Sequence, residues 1–438
     1  MDFSGFINWL NGIVWSPALV CLLLGGGLYF TIRTRFVQLR MMHEMVRLIF
    51  QPKDDDLGIS SFQALSMTLA GRVGTGNIAG VATAIMFGGP GALFWMWVVA
   101  ILGAASAFIE STLGQVYKEE IYHQFRGGPA YYIEKGLNNK FFAWIFALFT
   151  IFSCGLFLPS IQSNSIALSA QMAFGIEPLI TAVVITSLLS FIIYGGLKRM
   201  ATFVSWVVPF MAQAYVVVAI IIIFVHWERF DDVCALIFSS AFDFEAAGGA
   251  MIGLAIQWGL KRGLYSNEAG LGSAPMAHAA SSEKDPVKQG LYGIFEVFMD
   301  TIVICTLTAL TLLCGAGDQI VWGQSAGAEL ISASFSTLFG AQVGSMLVAV
   351  GISLFALSTI LSWSLYGTRC CEFLLGSKGA KVYQVIFVAV ILVGATLKLD
   401  LVWNIADTLN GFMAVPNLVA LLGLSPVVIK LTKEHFMK

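Results

Sequence analysis

Charged residues are scarce in this sequence. Asp, Glu, Lys and Arg make up 11% of its 438 residues, whereas they make up about 25% of a typical soluble domain. Hydrophobic residues make up 58%, which is more than a soluble fold of this length can enclose in a core. The composition therefore predicts an all-α protein that crosses the membrane many times, and the formal net charge of −2 argues against a nucleic-acid partner.

Histidine and cysteine are too sparse or too scattered to suggest a reactive centre. The five histidines lie in or beside the polar connections, so we expect neither a histidine-bound metal nor a histidine proton relay within the membrane. The seven cysteines lack the C-x-x-C spacing of a zinc site or a redox pair. We therefore expect no cofactor. We also expect no signal peptide, because no basic segment precedes the first apolar run.

Eleven segments carry few or no charges over about 20 residues and are predicted to span the membrane. They cover approximately residues 14–32, 62–87, 92–116, 142–174, 179–195, 203–225, 247–270, 292–315, 343–373, 382–397 and 409–429. Of the Lys and Arg residues in the connections, 19 fall on one side and two, Arg229 and Lys398, on the other. Because cytoplasmic connections accumulate Lys and Arg, we predict a cytoplasmic (inner) membrane protein with its N-terminus outside and its C-terminus in the cytoplasm.

The chain contains an internal repeat at an offset of 190 residues. The offset superimposes five polar or glycine pairs in order: Arg72 on Arg262, Asn77 on Asn267, Gly80 on Gly270, Glu110 on Asp300, and Ser111 on Thr301. Five predicted helices separate the copies, an odd number, so the copies enter the membrane from opposite sides. This predicts the inverted repeat of a secondary transporter. We expect a single domain over 1–438, with an extra helix and cytoplasmic loop at 10–55, a first repeat at 60–228 and a second at 245–431.

The repeated segments are poor candidates for continuous transmembrane helices. The segment 70–80 carries four glycines, Arg72 and Asn77 in the middle of a span, and each glycine costs about 1 kcal/mol relative to alanine in a helix. We expect the helix to unwind here, and its counterpart to break in the same way within 257–267. Unwound backbone at membrane depth offers N–H groups to a carboxylate and C=O groups to a cation. The alternative is close helix packing through glycine.

Five ionisable residues lie inside or at the ends of the predicted spans, and each is costly in lipid unless it has a partner. They are Arg72, Glu110, Arg262, Glu268 and Asp300. Two arginines and three acids nearly neutralise one another, which favours ion pairs that hold the two repeats together or close a gate over direct contact with a substrate. Proton carriage by Glu110 or Asp300 is the less favoured alternative.

Two adjacent hydroxyl groups, those of Ser358 and Thr359, lie in the middle of the span 343–373. Together with carbonyl groups of a broken helix they would form a neutral oxygen cage suited to a monovalent cation, with sodium as the first candidate. Such residues also commonly bond their own helix carbonyls, so the pair alone is a weak indication.

Several long motifs resemble the alanine or glycine:cation symporter family of bacteria and archaea. They are GRVGTGNIAGVATA at 71–84, FGGPGALFWMW at 87–97, FRGGPAYYIEKGL at 125–137, QSNSIA at 162–167, and RGLYSNEAGLGSAPMAHAA at 262–280. The likeness extends over about residues 10–430. It implies a leucine-transporter-type core of five plus five helices with one extra N-terminal helix, in agreement with eleven spans.

The resemblance also implies a site. The backbone N–H groups of Gly74, Thr75 and Gly76 would bind the substrate carboxylate. The amide side chains of Gln162 and Asn164 would add hydrogen bonds. Trp258, Gly263 and Trp363 would form a small apolar pocket. The coupling sodium ion would be held by the carbonyls of Ala70, Val73 and Phe355 and by the hydroxyls of Ser358 and Thr359.

We therefore expect a symporter, not an enzyme, that imports alanine or glycine with sodium by alternating access, as a monomer in the lipid bilayer. Proton coupling with another small amino acid as the substrate is the nearer alternative. An intramembrane enzyme would require a catalytic group facing one leaflet, and a channel would require a repeated pore with rings of charge. Neither pattern is evident in the sequence.

Overall fold

The computed structural model describes residues 3–49, 58–121, 123–243, 250–317, 320, 327–397 and 400–436. Its helices are α1 (Phe3–Val14), α2 (Pro17–Arg33), α3 (Val37–Arg40), α4 (Met42–Ile49), α5 (Ser61–Arg72), α6 (Val81–Gly88), α7 (Ala92–Val116), α8 (Pro129–Gly136), α9 (Lys140–Phe152), α10 (Leu158–Phe174), α11 (Pro178–Ile193), α12 (Gly196–Val225), α13 (Phe230–Ala241), α14 (Ala250–Asn267), α15 (Pro275–His278), α16 (Pro286–Val297), α17 (Thr306–Ala316), α18 (Gly327–Phe339), α19 (Ala341–Gly394) and α20 (Asp400–Phe436).

Seven helical segments of the described chain are long and apolar enough to cross a membrane. They are Phe3–Arg33, Ala92–Val116, Lys140–Phe174, Gly196–Val225, Pro286–Ala316, Ala341–Gly394 and Leu401–Phe436, and two shorter apolar segments are Gly76–Gly88 and Pro178–Ile193. The chain is thus a multi-pass helical membrane protein. Lys53, Lys398 and Lys438, which entered the charge count, and residues 247–249 of the seventh predicted span lie outside the described residues.

Several of the apolar helical segments are interrupted, one of them by the π-helical turn Phe298–Cys305 between α16 and α17. In α19, Gly376 has φ 70° and ψ −173°, which separates the predicted spans 343–373 and 382–397. Between α9 and α10, residues Ser153–Phe157 form a π-helical turn directly before Pro159. Proline lacks the N–H that would bond the carbonyl of Gly155, so the predicted bend in this span has a local cause. The break between α5 and α6, called the first break below because it lies in the first predicted repeat, belongs to the candidate site.

One element departs from the all-α expectation. Residues Glu119–Ile121 (β1) and Gln124–Arg126 (β2) pair as an antiparallel hairpin, with Glu119 opposite Arg126. The hairpin follows α7 in a polar connection, and Lys135 of α8 forms an ion pair with Glu119. It lies outside the apolar spans, so the membrane-crossing part of the described chain is helical.

The interior is built around two long helices. α19 packs against α5, α10 and α18, and α7 packs against α2, α14 and α16. The turn Gly76–Gly80, which is π-helical, contacts α14, α18 and the π-helical turn Phe298–Cys305. The interruption between α5 and α6 is therefore enclosed by helices from both predicted repeats.

Candidate functional site

The break between α5 and α6 changes which groups satisfy the backbone. α5 ends at Arg72, and Val73 leaves the helical conformation with ψ 87°. The N–H of Gly74 donates to Asn77 Oδ1 at 2.9 Å, and the N–H of Asn77 donates to the carbonyl of Gly74 at 3.2 Å. In a continuous helix these two N–H groups would bond the carbonyls of Ala70 and Val73. Both carbonyls therefore lose their helical donors.

The hydroxyl of Thr359 on α19 lies against these carbonyls. Thr359 Oγ1 is 2.7 Å from the carbonyl oxygen of Ala70, 3.3 Å from that of Val73 and 2.9 Å from that of Phe355. Ser358 Oγ donates to the same Phe355 carbonyl at 2.9 Å. A hydroxyl has one hydrogen, so Thr359 cannot satisfy three carbonyls at once. The five residues that the sequence assigned to sodium thus form one buried, oxygen-rich cluster.

The next three residues of the break face α10 and α14. The N–H of Thr75 donates to Gln162 Oε1 at 3.4 Å. A Cβ atom at Gly74 would lie 3.4 Å from Gln162 Nε2, and one at Gly76 would lie 3.2 Å from the Tyr265 ring. Backbone at residues 74–76 is therefore brought next to the side chain of Gln162, as predicted, and next to Tyr265, which the sequence analysis did not select.

A cavity of about 250 Å³ adjoins this segment. Thr75 lines it together with Ser165 of α10, Ile352 of α19 and residues at the start of α18. The Thr75 hydroxyl is buried and has no hydrogen-bond partner among the described residues. A buried hydroxyl without a partner costs free energy unless a ligand or water bonds it, so a residue that lines the cavity carries an unsatisfied polar group.

Four predicted substrate residues lie apart from this segment. Asn164 Nδ2 donates to the carbonyl of Leu397 at 2.8 Å, and to two further carbonyls at the end of α19. The ring of Trp258 stacks on Phe87 with 5.0 Å between centroids. Gly263 packs on Met96 and Val99 of α7, and Trp363 Nε1 donates to Glu268 Oε1 at 3.0 Å. Among the described residues, no hydrogen bond or ring contact joins these four residues to residues 74–76.

The second break lies later than predicted. α14 continues through Asn267, so the segment 257–267 is helical, and the chain leaves the helix only afterwards. Glu268, Gly270 and Gly272 have φ values of 50°, 84° and 88°, which lie in the left-handed region. Pro275 then begins α15. The expected break within 257–267 was wrong because the glycines that need positive φ stand after Asn267, whereas Gly263 is accommodated inside the helix.

Two carboxylates each accept a hydrogen bond from the other predicted repeat. Asp300, in the second, accepts from Asn77 Nδ2 at 2.6 Å beside the first break. Glu110, in the first, accepts from the N–H of Gly270 at 3.3 Å in the second break, and Asn417 also donates to it at 3.1 Å. Each acid therefore bonds a group at or beside the break in the other predicted repeat.

Asp300 is surrounded by uncharged donors. Its Oδ2 accepts from Ser266 Oγ at 2.8 Å and from Thr301 Oγ1 at 2.7 Å, in addition to the bond from Asn77. The side chain is fully buried. Asp300, Ser266 and Thr301 form a second oxygen-rich cluster on the other side of Asn77 from the Thr359 cluster.

In the described part of the chain, the five ionisable residues form no ion pair with one another, contrary to expectation. Arg72 instead pairs with Glu296 of α16 at 3.6 Å, and both side chains are fully buried. Glu268 accepts from Ser273 and Trp363. The guanidinium of Arg262 lies 5.6 Å from the ring centroid of Trp258, with the rings of Tyr265 and Trp403 at similar distances. Aromatic faces stabilise Arg262 where a carboxylate was expected.

Glu296 and His278 are the main residues that the sequence analysis missed. Glu296 accepts from Thr68 and lies 3.2 Å from His278 Nε2, while His278 Nδ1 contacts Gln289 at 2.7 Å. His278 is fully buried, so the assignment of all histidines to polar connections was wrong. The signal for Glu296 was its position within the predicted span 292–315, which it shares with Asp300. His278 carried no such signal, because its burial depends on the packing of α15 against α5 and α7.

The fold and this site define a helical membrane transporter. The fold is similar to that of MhsT in its complex with L-phenylalanine, with a TM-score of 0.60, 11% identity and coverage of 86% of this chain and 99% of the other. The manganese transporter of Eremococcus coleocola matches with a TM-score of 0.54, 15% identity and coverage of 85% and 78%. Both have the leucine-transporter-type fold, which confirms that part of the prediction.

The sequence comparisons define the family. The model of the sodium:alanine symporter family matches residues 1–438, and the chain belongs to this family. The sodium/alanine symporter AgcS of Methanococcus maripaludis is 44% identical, covering 99% of this chain and 97% of that protein. A Bacillus subtilis relative provisionally named a sodium/glutamine symporter, GlnT, is 42% identical, covering 97% and 89%. The family assignment confirms the predicted resemblance and makes the chain a transporter, not an enzyme.

Proposed function

We propose that this protein is a sodium-coupled symporter that imports small neutral amino acids, alanine or glycine, across the cytoplasmic membrane by alternating access. The observation that carries the proposal is the contact of the Thr359 hydroxyl with the carbonyls of Ala70 and Val73, which the break after α5 has released from helical bonding. Family membership and the name of the AgcS relative support sodium and alanine as the pair of solutes.

The proposed sodium site is the Thr359 cluster. Its ligands would be the carbonyls of Ala70, Val73 and Phe355 and the hydroxyls of Ser358 and Thr359. Neutral carbonyl and hydroxyl oxygens suit a hard monovalent cation. Because two ligands come from the broken helix and three from α19, bound sodium would hold these elements together. A membrane potential of about −100 mV acting on one sodium charge supplies about 2.3 kcal/mol, or roughly 50-fold accumulation.

The proposed substrate site is the unwound segment 74–76. Its backbone and the Gln162 amide would bind the substrate, and the Thr75 hydroxyl at the neighbouring cavity supports a polar ligand there. Side chains that crowd the segment, Tyr265 above Gly76 and Thr359 beside Gly74, favour a small substrate. We assign Trp258, Gly263 and Trp363 to the support of this segment through α14 and α19, and Asn164 to the end of α19.

We further propose the topology of eleven spans, arranged as one helix followed by a five-plus-five inverted repeat. The crossed contacts of Glu110 and Asp300 support the repeat, since each acid bonds the break of the other copy. The distribution of Lys and Arg supports an outside N-terminus and a cytoplasmic C-terminus. In this arrangement a monomer contains a complete site.

Uptake of radiolabelled alanine by proteoliposomes tests the function. With an inward sodium gradient we expect accumulation, which should be weak when choline replaces sodium. Thr359→Ala should raise the sodium concentration for half-maximal uptake by tenfold or more, and Gln162→Ala should raise the alanine KM. Ser353→Ala on α19 and Gln171→Ala on α10 are matched controls, because Ser353 bonds only its own helix and Gln171 is exposed.

The outcomes separate the parts of the proposal. Sodium-independent uptake would reject the coupling ion, and absence of alanine and glycine uptake would reject the substrate class. An equal effect of Thr359→Ala and Ser353→Ala would reject the sodium site while leaving the function intact.

Proton coupling is a second candidate, favoured by Asp300. This acid is fully buried beside the first break and is bonded by Asn77, Ser266 and Thr301, all of them uncharged donors. It could therefore exchange a proton or face a second cation during transport. Uptake driven by an inward proton gradient in the absence of sodium, lost in Asp300→Asn and retained in Thr359→Ala, would favour this candidate.

A further inference from the structure

A basic cavity lies at the end of α2, away from the candidate transport site. Its volume is about 460 Å³, and four cationic side chains line it: those of Arg33, Arg35, Arg40 and Lys433. In the part of the chain that the structure describes, none of the four forms an ion pair with a carboxylate. Four like charges around one cavity repel one another, so a bound anion would be stabilised by all of them.

An unusual turn brings three of these charges to the cavity. Arg35 and Phe36 are consecutive residues with φ values of 58° and 56°, a conformation that is costly for residues other than glycine. The carbonyl of Phe36 then accepts from the N–H groups of Leu39 and Arg40, both at 3.0 Å, which starts α3. Because the chain reverses at this turn, Arg33 before it and Arg40 after it line the same space.

Aromatic rings position two of the guanidinium groups. Arg40 lies 5.5 Å from the centroid of the Phe436 ring, and Arg33 lies 5.8 Å from that of Tyr29. A cation over a ring face keeps its N–H groups, which point outward in the guanidinium plane, available to a further acceptor. The planar fork of Arg matches the oxygens of a phosphate group, so the cavity has the donors for one.

The cavity lies where two helices end. α2 ends at Arg33 and α20 at Phe436, and both residues line it. Three large apolar side chains that neighbour its basic residues along the chain are exposed: Ile32 by 58%, Phe36 by 52% and Leu39 by 57%. Exposed apolar groups next to a basic cavity fit a ligand with both an anionic group and acyl chains.

We propose that this cavity binds the phosphate group of an anionic phospholipid. Arg33, Arg35, Arg40 and Lys433 would surround the phosphate, and the acyl chains would lie along Ile32, Phe36 and Leu39. Soluble phosphate shares the anionic chemistry of the headgroup but lacks the chains. The site would then anchor the ends of α2 and α20 to one lipid, next to the bundle but outside the substrate path.

Native mass spectrometry of the whole protein tests the proposal with phosphatidylglycerol, phosphatidylcholine and inorganic phosphate as probes. Each basic residue near an anionic lipid contributes about fivefold to binding, so Arg33→Gln/Arg40→Gln should weaken retention of phosphatidylglycerol by about 30-fold. Arg47→Gln/Lys430→Gln removes the same charge from exposed positions outside the cavity and serves as the matched control. Arg33→Lys/Arg40→Lys should recover much of the binding.

Selective loss of phosphatidylglycerol in the cavity variant, with the control unchanged, would support the proposal. Equal loss in both variants would show a general charge effect and overturn it. Displacement of phosphatidylglycerol by millimolar inorganic phosphate would support a phosphate site but overturn the lipid as its ligand. A thermal melt of each variant in the same detergent detects misfolding. If the glutamine variant is unfolded, the lysine variant decides, through its retention of phosphatidylglycerol compared with its retention of phosphatidylcholine.

Discussion

The two helix breaks, one after Arg72 and one after Asn267, come from similar sequence segments but have different surroundings. In the first, the released carbonyl of Ala70 lies against the Thr359 hydroxyl, and the N–H of Thr75 donates to the neutral amide oxygen of Gln162. In the second, the carboxylate of Glu110 bonds the N–H of Gly270. The backbone of the first break is thus bonded by neutral side chains, whereas that of the second is bonded by a buried carboxylate. We propose accordingly that the first break serves binding and the second serves as support.

Packing around the two breaks can be compared through the space at their glycines and the cavity beside them. A Cβ atom at Gly272 in the second break would lie 2.8 Å from both Phe146 and Pro129 and 2.9 Å from Asn417. In the first break, Thr75 borders a cavity of about 250 Å³. Both breaks are thus tightly packed around a glycine, since a Cβ atom at Gly74 in the first would lie 2.7 Å from Thr359 Oγ1; the breaks differ in the cavity that Thr75 borders.

The largest expected effect is loss of stability in Arg72→Met, at the end of the first half-helix. The substitution leaves Glu296 buried without its cation, which costs about 3–5 kcal/mol. We expect a much lower melting temperature in detergent, with partial recovery in Arg72→Met/Glu296→Met. Arg47→Met, which breaks an exposed pair with Glu44, should cost less than about 1 kcal/mol. Equal melting temperatures for Arg72→Met and the parent would contradict a structural role for this pair.

A smaller loss is expected from Gly272→Ala in the second break. Its φ of 88° is unfavourable for alanine, and the new methyl group would overlap Phe146 and Pro129, which together cost about 2–4 kcal/mol. Gly253→Ala is the control, because a Cβ there meets nothing within 4 Å. Differential scanning fluorimetry measures both. If Gly272→Ala melts like Gly253→Ala, the second break is less tightly filled than described and its proposed supporting role fails.

The smallest effect is expected from Asn164→Ala, two residues after Gln162. Asn164 bonds carbonyls at the end of α19, so its loss should cost about 1 kcal/mol of stability and leave the alanine KM unchanged. Gln162→Ala should instead raise the KM at nearly unchanged stability. Transport kinetics in proteoliposomes make the comparison. An increased KM in Asn164→Ala would restore the sequence-based assignment of this residue to the substrate.

Much of the candidate site could be predicted because it depends on local chemistry. Glycines around Arg72 and Asn77 predicted an unwound segment, and the repeat at 190 residues predicted which acids would correspond. The adjacent hydroxyls of Ser358 and Thr359 predicted an oxygen cluster once carbonyls were available. These features are properties of short segments, and each segment lies on a span that was predicted from its scarcity of charged residues.

The partners of the buried charges could not be predicted in the same way. Arg72 was assigned to Glu110, Glu268 or Asp300 but pairs with Glu296, and Arg262 packs on aromatic rings. Which of several acids meets an arginine depends on the rotation and depth of each helix, and these are set by packing among helices far apart in the chain. The buried position of His278 has the same origin.

The sequence alone thus determined the membrane class, the break after Arg72 and the oxygen-rich character of the Thr359 cluster, because these follow from composition and local backbone preferences, and it indicated the family through the motifs that resemble it. Tertiary structure decided that Thr359 meets Ala70 and Val73, that Asn164 turns to the end of α19, and that the second break is filled. The physical reason is that contacts between distant segments depend on helix packing. The geometry of that packing is set by many small van der Waals contacts together, and no local sequence signal specifies it.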